Sequence, residues 1–103
     1  TCERCKCTQI LSLQNQLQEL PPVLILHLKR FKCTTNQIYK LQNKVDFPLY
    51  DLDLSDQIAQ PQDVCYKYDL FGVVNHYGTL GGGHYTAFVE NRGNWFLYDD
   101  SSV

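Results

Sequence analysis

The fold of this chain is decided by one stretch, Gly81 to Asp100, which reads GGGHYTAFVENRGNWFLYDD. Two strand-like runs flank Asn91-Arg92-Gly93-Asn94, an Asn- and Gly-rich sequence that is typical of a tight β-hairpin turn. We therefore predict a glycine-rich loop, a strand that opens with His84, a two-residue turn at Arg92-Gly93, and a second strand that ends in two carboxylates.

The register of this hairpin brings a histidine and a carboxylate together. With a two-residue turn, Thr86 faces Asp99, and His84 lies on the same face because it is two residues from Thr86. His84 and Asp99 are then diagonal neighbours within reach of a hydrogen bond. A slip of one residue would place Asp100 opposite Thr86, so both carboxylates remain candidates. The alternative is an ordinary hairpin, although the entropic cost of Gly81-Gly82-Gly83 favours a functional reason.

Length and composition predict one globular domain with a modest core. The chain has 103 residues, of which 44% are hydrophobic and 19% charged. The net charge of −2 gives no polybasic surface for nucleic acid or an anionic membrane. The longest apolar run, Val23–Leu28, is too short to span a bilayer.

The cysteines indicate a reducing compartment and half of a metal site. Their number is odd and three lie in the first seven residues, so a disulfide framework fits poorly; they are Cys2, Cys5, Cys7, Cys33 and Cys65. The Cys2-x-x-Cys5 spacing is that of one zinc-ribbon knuckle, and its alternatives are a vestigial knuckle or a chance cluster. Both ends look cut, so we expect a piece of a larger protein.

The remaining pattern is rich in strands and poor in helix. We predict a central buried strand at Val23–Leu28, because it is apolar on both faces. A short helical turn is expected from Ser55 to Ala59, with Ser55 as its cap. Further strands are predicted at 8–13, 38–41, 45–47 and 66–77, with alternation over 49–54, and the last of these strands leads directly into a mobile loop at 78–83.

The chemistry of this pattern is incomplete. A histidine oriented by a carboxylate needs a group to act on. The Gly-x-Ser-x-Gly pattern of many serine hydrolases is absent. Cys33 and Cys65 do not lie at the start of a predicted helix, which disfavours either as a nucleophile. The residues therefore supply a base and its orienting acid without the attacking group.

These residues together resemble the C-terminal half of the ubiquitin-specific protease catalytic domain, from end to end and in the same order. The resemblance rests on LPPVLILHLKRF at 20–31, VDFP at 45–48, YDLFGVVNHYG at 68–78, GGGHYTA at 81–87, Trp95, and YDDSSV at 98–103. It implies an α+β, papain-like cysteine protease fold, of which this chain is the mostly antiparallel palm and fingers portion. Residues 1–20 would end the finger zinc ribbon, and residues 21–103 would form the palm.

The resemblance also implies a deubiquitinase, which hydrolyses the isopeptide or peptide bond after the C-terminal glycine of ubiquitin. His84 matches the general base, Asp99 the third triad member, and Asp100 an auxiliary carboxylate. The residues expected to contact the ubiquitin tail are His76, Gly81, Gly82, Gly83 and Tyr85, with 78–83 and 30–44 as flexible loops beside it. Cys2 and Cys5 match a zinc knuckle. The implied partners are ubiquitin and ubiquitinated proteins, without nucleic acid or membrane, inside the cell in cytoplasm or nucleus.

Parts of the family pattern are missing from the 103 residues: the cysteine box with its nucleophile, the first zinc knuckle, and the thumb. We therefore expect the 103 residues alone to be inactive. The alternative hypothesis is a catalytically inactive ubiquitin-binding or scaffold module. Retention of both His84 and Asp99 on one face favours the enzyme.

Overall fold

A computed structural model of the chain describes residues 3–59 and 66–103. The strands are β1 (Phe31–Cys33), β2 (Ile38–Lys40), β3 (Leu52–Asp53), β4 (Lys67–Tyr68), β5 (Gly72–Gly78), β6 (Gly83–Asn91) and β7 (Asn94–Tyr98), and a 3₁₀ turn spans Ser55–Gln57. β1 pairs with β2, β3 with β4, and β5, β6 and β7 form a three-stranded sheet. Every one of these ladders is antiparallel. The prediction of mostly antiparallel strands with little helix is confirmed, and no α-helix occurs in the described ranges.

The hairpin between β6 and β7 has the predicted register. Asn91 pairs with Asn94, and the ladder continues to Ala87 and Tyr98. The turn residues Arg92 and Gly93 have φ values of 52° and 82°. Positive φ at both central positions is the signature of a type I′ turn, whose twist matches that of the flanking strands. The local sequence alone therefore fixes how the two strands face each other.

β5 and β6 are joined by a short turn where the sequence predicted a glycine-rich loop. Gly78 and Gly83 form the last pair of the ladder. The Thr79 amide and hydroxyl both donate to the Gly82 carbonyl, at 3.1 and 2.9 Å. Gly78 has φ 98°, and a Cβ there would lie 3.0 Å from the Gly82 oxygen. Glycine at this position is therefore required by the turn itself.

The prediction of one long strand over 66–77 is wrong. The segment divides into β4 and β5, which pair with different partners, β3 and β6. Between them the Leu70 amide donates to the Leu49 carbonyl at 2.9 Å, so the chain changes partner at this point. The predicted helical turn is the three-residue 3₁₀ turn, but Ser55 does not cap it. Its amide instead donates to the Asp53 carboxylate at 2.9 Å.

The predicted strands at 8–13, Val23–Leu28 and 45–47 are wrong as well, because none of these residues lies in a strand. Ile25 is 85% exposed and Leu26 is 67% exposed. A strand that is apolar on both faces is stable only between neighbouring strands and under covering layers. The described residues provide neither around Val23–Leu28.

The predicted modest core is also absent from the described residues. None of their hydrophobic side chains is buried, and Thr86 is the one buried residue among them. The radius of gyration is 19.4 Å, whereas a compact chain of this length would have about 13 Å. The sheet is therefore held by its hydrogen-bond ladders rather than by burial of apolar surface.

Candidate active site

The candidate site lies at the end of the β6–β7 hairpin that is remote from its turn. His84 is the second residue of β6, and Asp99 directly follows β7. The ladder pairs Ala87 with Tyr98, so Asp99 comes next to Thr86, and His84 is on the same face two residues earlier. The predicted diagonal placement of His84 and Asp99 is thus realised.

His84 and Asp99 are joined by a short hydrogen bond. His84 Nε2 lies 2.6 Å from Asp99 Oδ1, and each side chain is 48% exposed. An ionised carboxylate can only accept, so Nε2 carries the donated proton, and in a neutral imidazole Nδ1 keeps its lone pair. A carboxylate that fixes the tautomer in this way leaves the other ring nitrogen to take up and return a proton. The hydrogen bond also decides between the two carboxylates: Asp99 is the partner of the histidine.

Asp100 lies beside this pair, in the turn that follows β7. Asp99 and Ser102 exchange two backbone hydrogen bonds, at 3.0 and 2.8 Å, and Asp100 has φ 49° between them. One ligand atom from each of His84, Asp99 and Asp100 lies within 4.8 Å of the others. No ion is needed to explain the pairing of His84 with Asp99, because the hydrogen bond between Nε2 and Oδ1 already joins them.

The residues predicted to contact ubiquitin fall into two groups. His76 and Tyr85 are cross-strand partners, with ring centroids 4.7 Å apart. A Cβ on Gly83 would collide with the His76 ring and lie 2.6 Å from the Tyr77 carbonyl oxygen. Gly83, His76 and Tyr85 therefore form one packed unit next to His84. Gly81 and Gly82 lie in the adjoining turn, where a Cβ would meet nothing within 4 Å.

Sequence reasoning missed Lys40. Its ammonium lies 3.1 Å from His76 Nδ1 and 3.0 Å from the His76 carbonyl oxygen. It also lies 5.9 Å from the centroid of the Phe31 ring, which packs edge-on against His76. Lys40 and His76 are 36 residues apart, so no local sequence pattern could have indicated this contact.

Comparison with known proteins identifies the family. The family described as ubiquitin carboxyl-terminal hydrolase matches residues 1–103. The chain belongs to the ubiquitin carboxyl-terminal hydrolase family. Over 104 aligned residues it is 47% identical to ubiquitin carboxyl-terminal hydrolase 15 of Homo sapiens and 41% identical to ubiquitin carboxyl-terminal hydrolase 4 of Bos taurus. Each alignment covers 99% of this chain and 11% of the relative. The chain thus spans about one ninth of the length of these curated relatives, and it is confirmed as part of a ubiquitin-specific protease domain.

The expected zinc ligands of this family member are described only in part, because Cys2 lies outside the described residues. Cys5 is exposed, and its Sγ lies 3.1 Å from the Cys7 Sγ, within hydrogen-bond distance. This contact, and next the Gln9 amide, lowers the pKa of Cys7 below the ordinary thiol value. Cysteine thiolates are the usual ligands of structural zinc, and the half site at Cys2 and Cys5 stays a prediction. The described residues include no α-helix, and hence no helical segment that could span a bilayer.

Proposed function

We propose that this chain carries the general base of a thiol-dependent deubiquitinase, which hydrolyses the isopeptide or peptide bond after the C-terminal glycine of ubiquitin. The observation that carries the proposal is the 2.6 Å bond between His84 Nε2 and Asp99 Oδ1, within a chain of the ubiquitin carboxyl-terminal hydrolase family. His84 is the base, Asp99 orients it, and Asp100 adds negative charge beside them. The nucleophilic cysteine comes from a part of the protein outside these 103 residues, which belongs with this chain to one papain-like catalytic domain.

The proposed mechanism begins at His84 Nδ1. This nitrogen removes the proton of the cysteine thiol, and the imidazolium that forms is stabilised by the Asp99 carboxylate through Nε2–H. The thiolate attacks the carbonyl carbon of ubiquitin's last residue, and Nδ1–H then gives its proton to the departing amine. A thioester remains. Nδ1 next takes a proton from water, the hydroxide formed attacks the thioester, and the thiolate leaves to recover that proton.

Ubiquitin recognition is proposed to involve the turn before His84. A ubiquitin tail that ends in two glycines can enter a constriction that any Cβ would block. Gly81 and Gly82 have no positive φ and no neighbour that a Cβ would disturb. Close approach of a bound segment is a physical reason for glycine at both positions. His76, Gly83 and Tyr85 would then form the wall beside the tail, and ubiquitin and its conjugates are the partners.

Cys2 and Cys5 would hold a zinc ion whose role is structural, since zinc bound by cysteine thiolates orders the backbone around it. An intracellular location, in cytoplasm or nucleus, accords with the free thiols Cys5, Cys7 and Cys33.

The proposal is tested with the full-length protein and ubiquitin carrying a thiol-reactive electrophile at its C-terminus. We expect a covalent adduct, seen by mass, on a cysteine outside residues 1–103. His84→Ala should slow its formation, because the thiol loses its base, whereas Cys33→Ser should leave it unchanged. No cysteine of the described residues is hydrogen bonded to His84, so an adduct on Cys33 would contradict the proposal. Ubiquitin binding without any adduct would favour the inactive scaffold. The isolated 103 residues should form no adduct at all.

A further inference from the structure

Lys40 and His76 connect two otherwise separate parts of the sheet structure. Lys40 ends β2 and faces Phe31 in the β1–β2 ladder, while His76 lies in β5 opposite Tyr85 of β6. The Lys40 ammonium donates to both the ring nitrogen and the backbone oxygen of His76. The His76 ring lies between Phe31, at 5.8 Å, and Tyr85, at 4.7 Å.

The contact favours one tautomer of His76. An ammonium group has three donors and no acceptor. His76 Nδ1 must therefore be the acceptor, which requires a neutral ring with its proton on Nε2. That Nε2 edge lies against Gly83, where a Cβ would collide with it. Since Gly83 directly precedes His84, the ring that Lys40 holds lies against the first residue of the strand that carries the proposed base.

We propose that Lys40 is a positioning residue: it holds the His76 ring as the Nε2–H tautomer against Gly83 and thereby sets the cleft between the β1–β2 hairpin and the turn before His84. Ile38 and Gln42 line this cleft on the hairpin side, Thr79 and Leu80 line it on the turn side, and its volume is about 510 Å³. The proposal rests on the proposed function in one respect, that ubiquitin's tail passes this cleft. The contacts by which Lys40 holds the His76 ring, which we call the Lys40–His76 clamp, do not depend on that function.

The first test measures the tautomer in the full-length protein by ¹⁵N NMR of labelled histidine, with the His76 signals assigned from a His76→Ala variant. We expect a bare Nδ1 and a protonated Nε2 in the wild type. In Lys40→Met, which keeps the side-chain stem over Phe31 but has no donor, we expect a mixture of tautomers. Lys40→Arg keeps donors and charge and should restore the Nε2–H form. A mixture in the wild type, or an unchanged tautomer in Lys40→Met, would overturn the proposal.

The second test uses hydrolysis of ubiquitin with a fluorogenic C-terminal group. Lys40→Met should raise KM about tenfold, the loss expected for a hydrogen bond to a charged group, and change kcat by less than about threefold. In a His76→Ala background the same substitution should have no further effect, because the two residues act as a unit. Independent, additive losses would refute the clamp. A locked tautomer in a protein without hydrolase activity would refute the proposed function and uphold the clamp.

Discussion

Replacing Asp99 with asparagine isolates the charge of the His84–Asp99 bond from its geometry. The amide oxygen can still accept from Nε2, but it cannot stabilise the imidazolium. A hydrogen bond to a charged group contributes about 1.5–3 kcal/mol. Both side chains are 48% exposed, so water weakens the interaction and the lower end applies. At 1.36 kcal/mol per factor of ten, we expect Asp99→Asn to lower kcat/KM about tenfold.

The assay is hydrolysis of fluorogenic ubiquitin by the full-length protein at constant ionic strength. Asp99→Ala, which also frees the ring to rotate, should cost about a hundredfold, the upper end of the same range. Asp46→Asn makes the same change in net charge at an exposed ion pair with Lys44, 3.2 Å away, and should leave kcat/KM unchanged. A value of kcat/KM for Asp99→Asn within twofold of wild type would exclude charge stabilisation of His84 by Asp99. A larger loss in Asp100→Asn than in Asp99→Asn would show that Asp100 is the carboxylate that acts on His84.

Substitutions at the turn before β6 and at Asp53 test two further features of the structure. Gly81→Ala and Gly82→Ala should leave the melting temperature unchanged, because a Cβ meets nothing there, but should raise KM for ubiquitin about tenfold by overpacking against the bound tail. The matched control is Gly72→Ala, whose Cβ would make an ordinary contact. An unchanged KM in the Gly81 and Gly82 variants would contradict the proposed approach of the tail. The Ser55 backbone amide, and next its side chain, holds the pKa of Asp53 below its ordinary value. The ionised Asp53 carboxylate therefore stabilises the folded state fully above the carboxyl pKa of the unfolded chain, about 3.9. This contribution is lost as the pH falls through the lower pKa of the folded state. The free energies of unfolding of Asp53→Asn and wild type, measured by denaturant titration, should become equal at low pH. A difference that persists there would show that the ionised Asp53 carboxylate is not its cause.

The parts predicted correctly are those whose geometry depends on residues close in sequence. The Arg92-Gly93 turn accepts positive φ and fixes the register of β6 against β7, and the register places His84 next to Asp99. His84 and Asp99 are only 15 positions apart, so their placement depends on no other part of the molecule. The division of 66–77 into two strands is different, because it depends on β3 and on Leu49, about 20 residues earlier.

The predicted buried strand at Val23–Leu28 fails for a related reason. Its apolar pattern indicates that both faces of the segment must be buried, but it does not indicate which residues pack against them. In the described residues nothing does, and Ile25 and Leu26 remain exposed. The prediction of a core from composition fails in the same way. An apolar fraction of 44% indicates how much surface could be buried, while burial itself requires opposing surfaces that pack together.

Backbone hydrogen bonds position the candidate site, although the described residues form no hydrophobic core. β6 is paired on both sides, with β5 and with β7. The double hydrogen bond between Asp99 and Ser102 closes the chain directly after β7, so Asp99 cannot drift from the sheet without breaking backbone bonds. Thr86 is next to Asp99 and two residues after His84 on the same face, and it is buried, yet its hydroxyl has no hydrogen-bond partner among the described residues. A buried hydroxyl without a partner costs about 1–3 kcal/mol. We therefore expect the complete domain to supply an acceptor or donor at Thr86, on the face that presents His84 and Asp99.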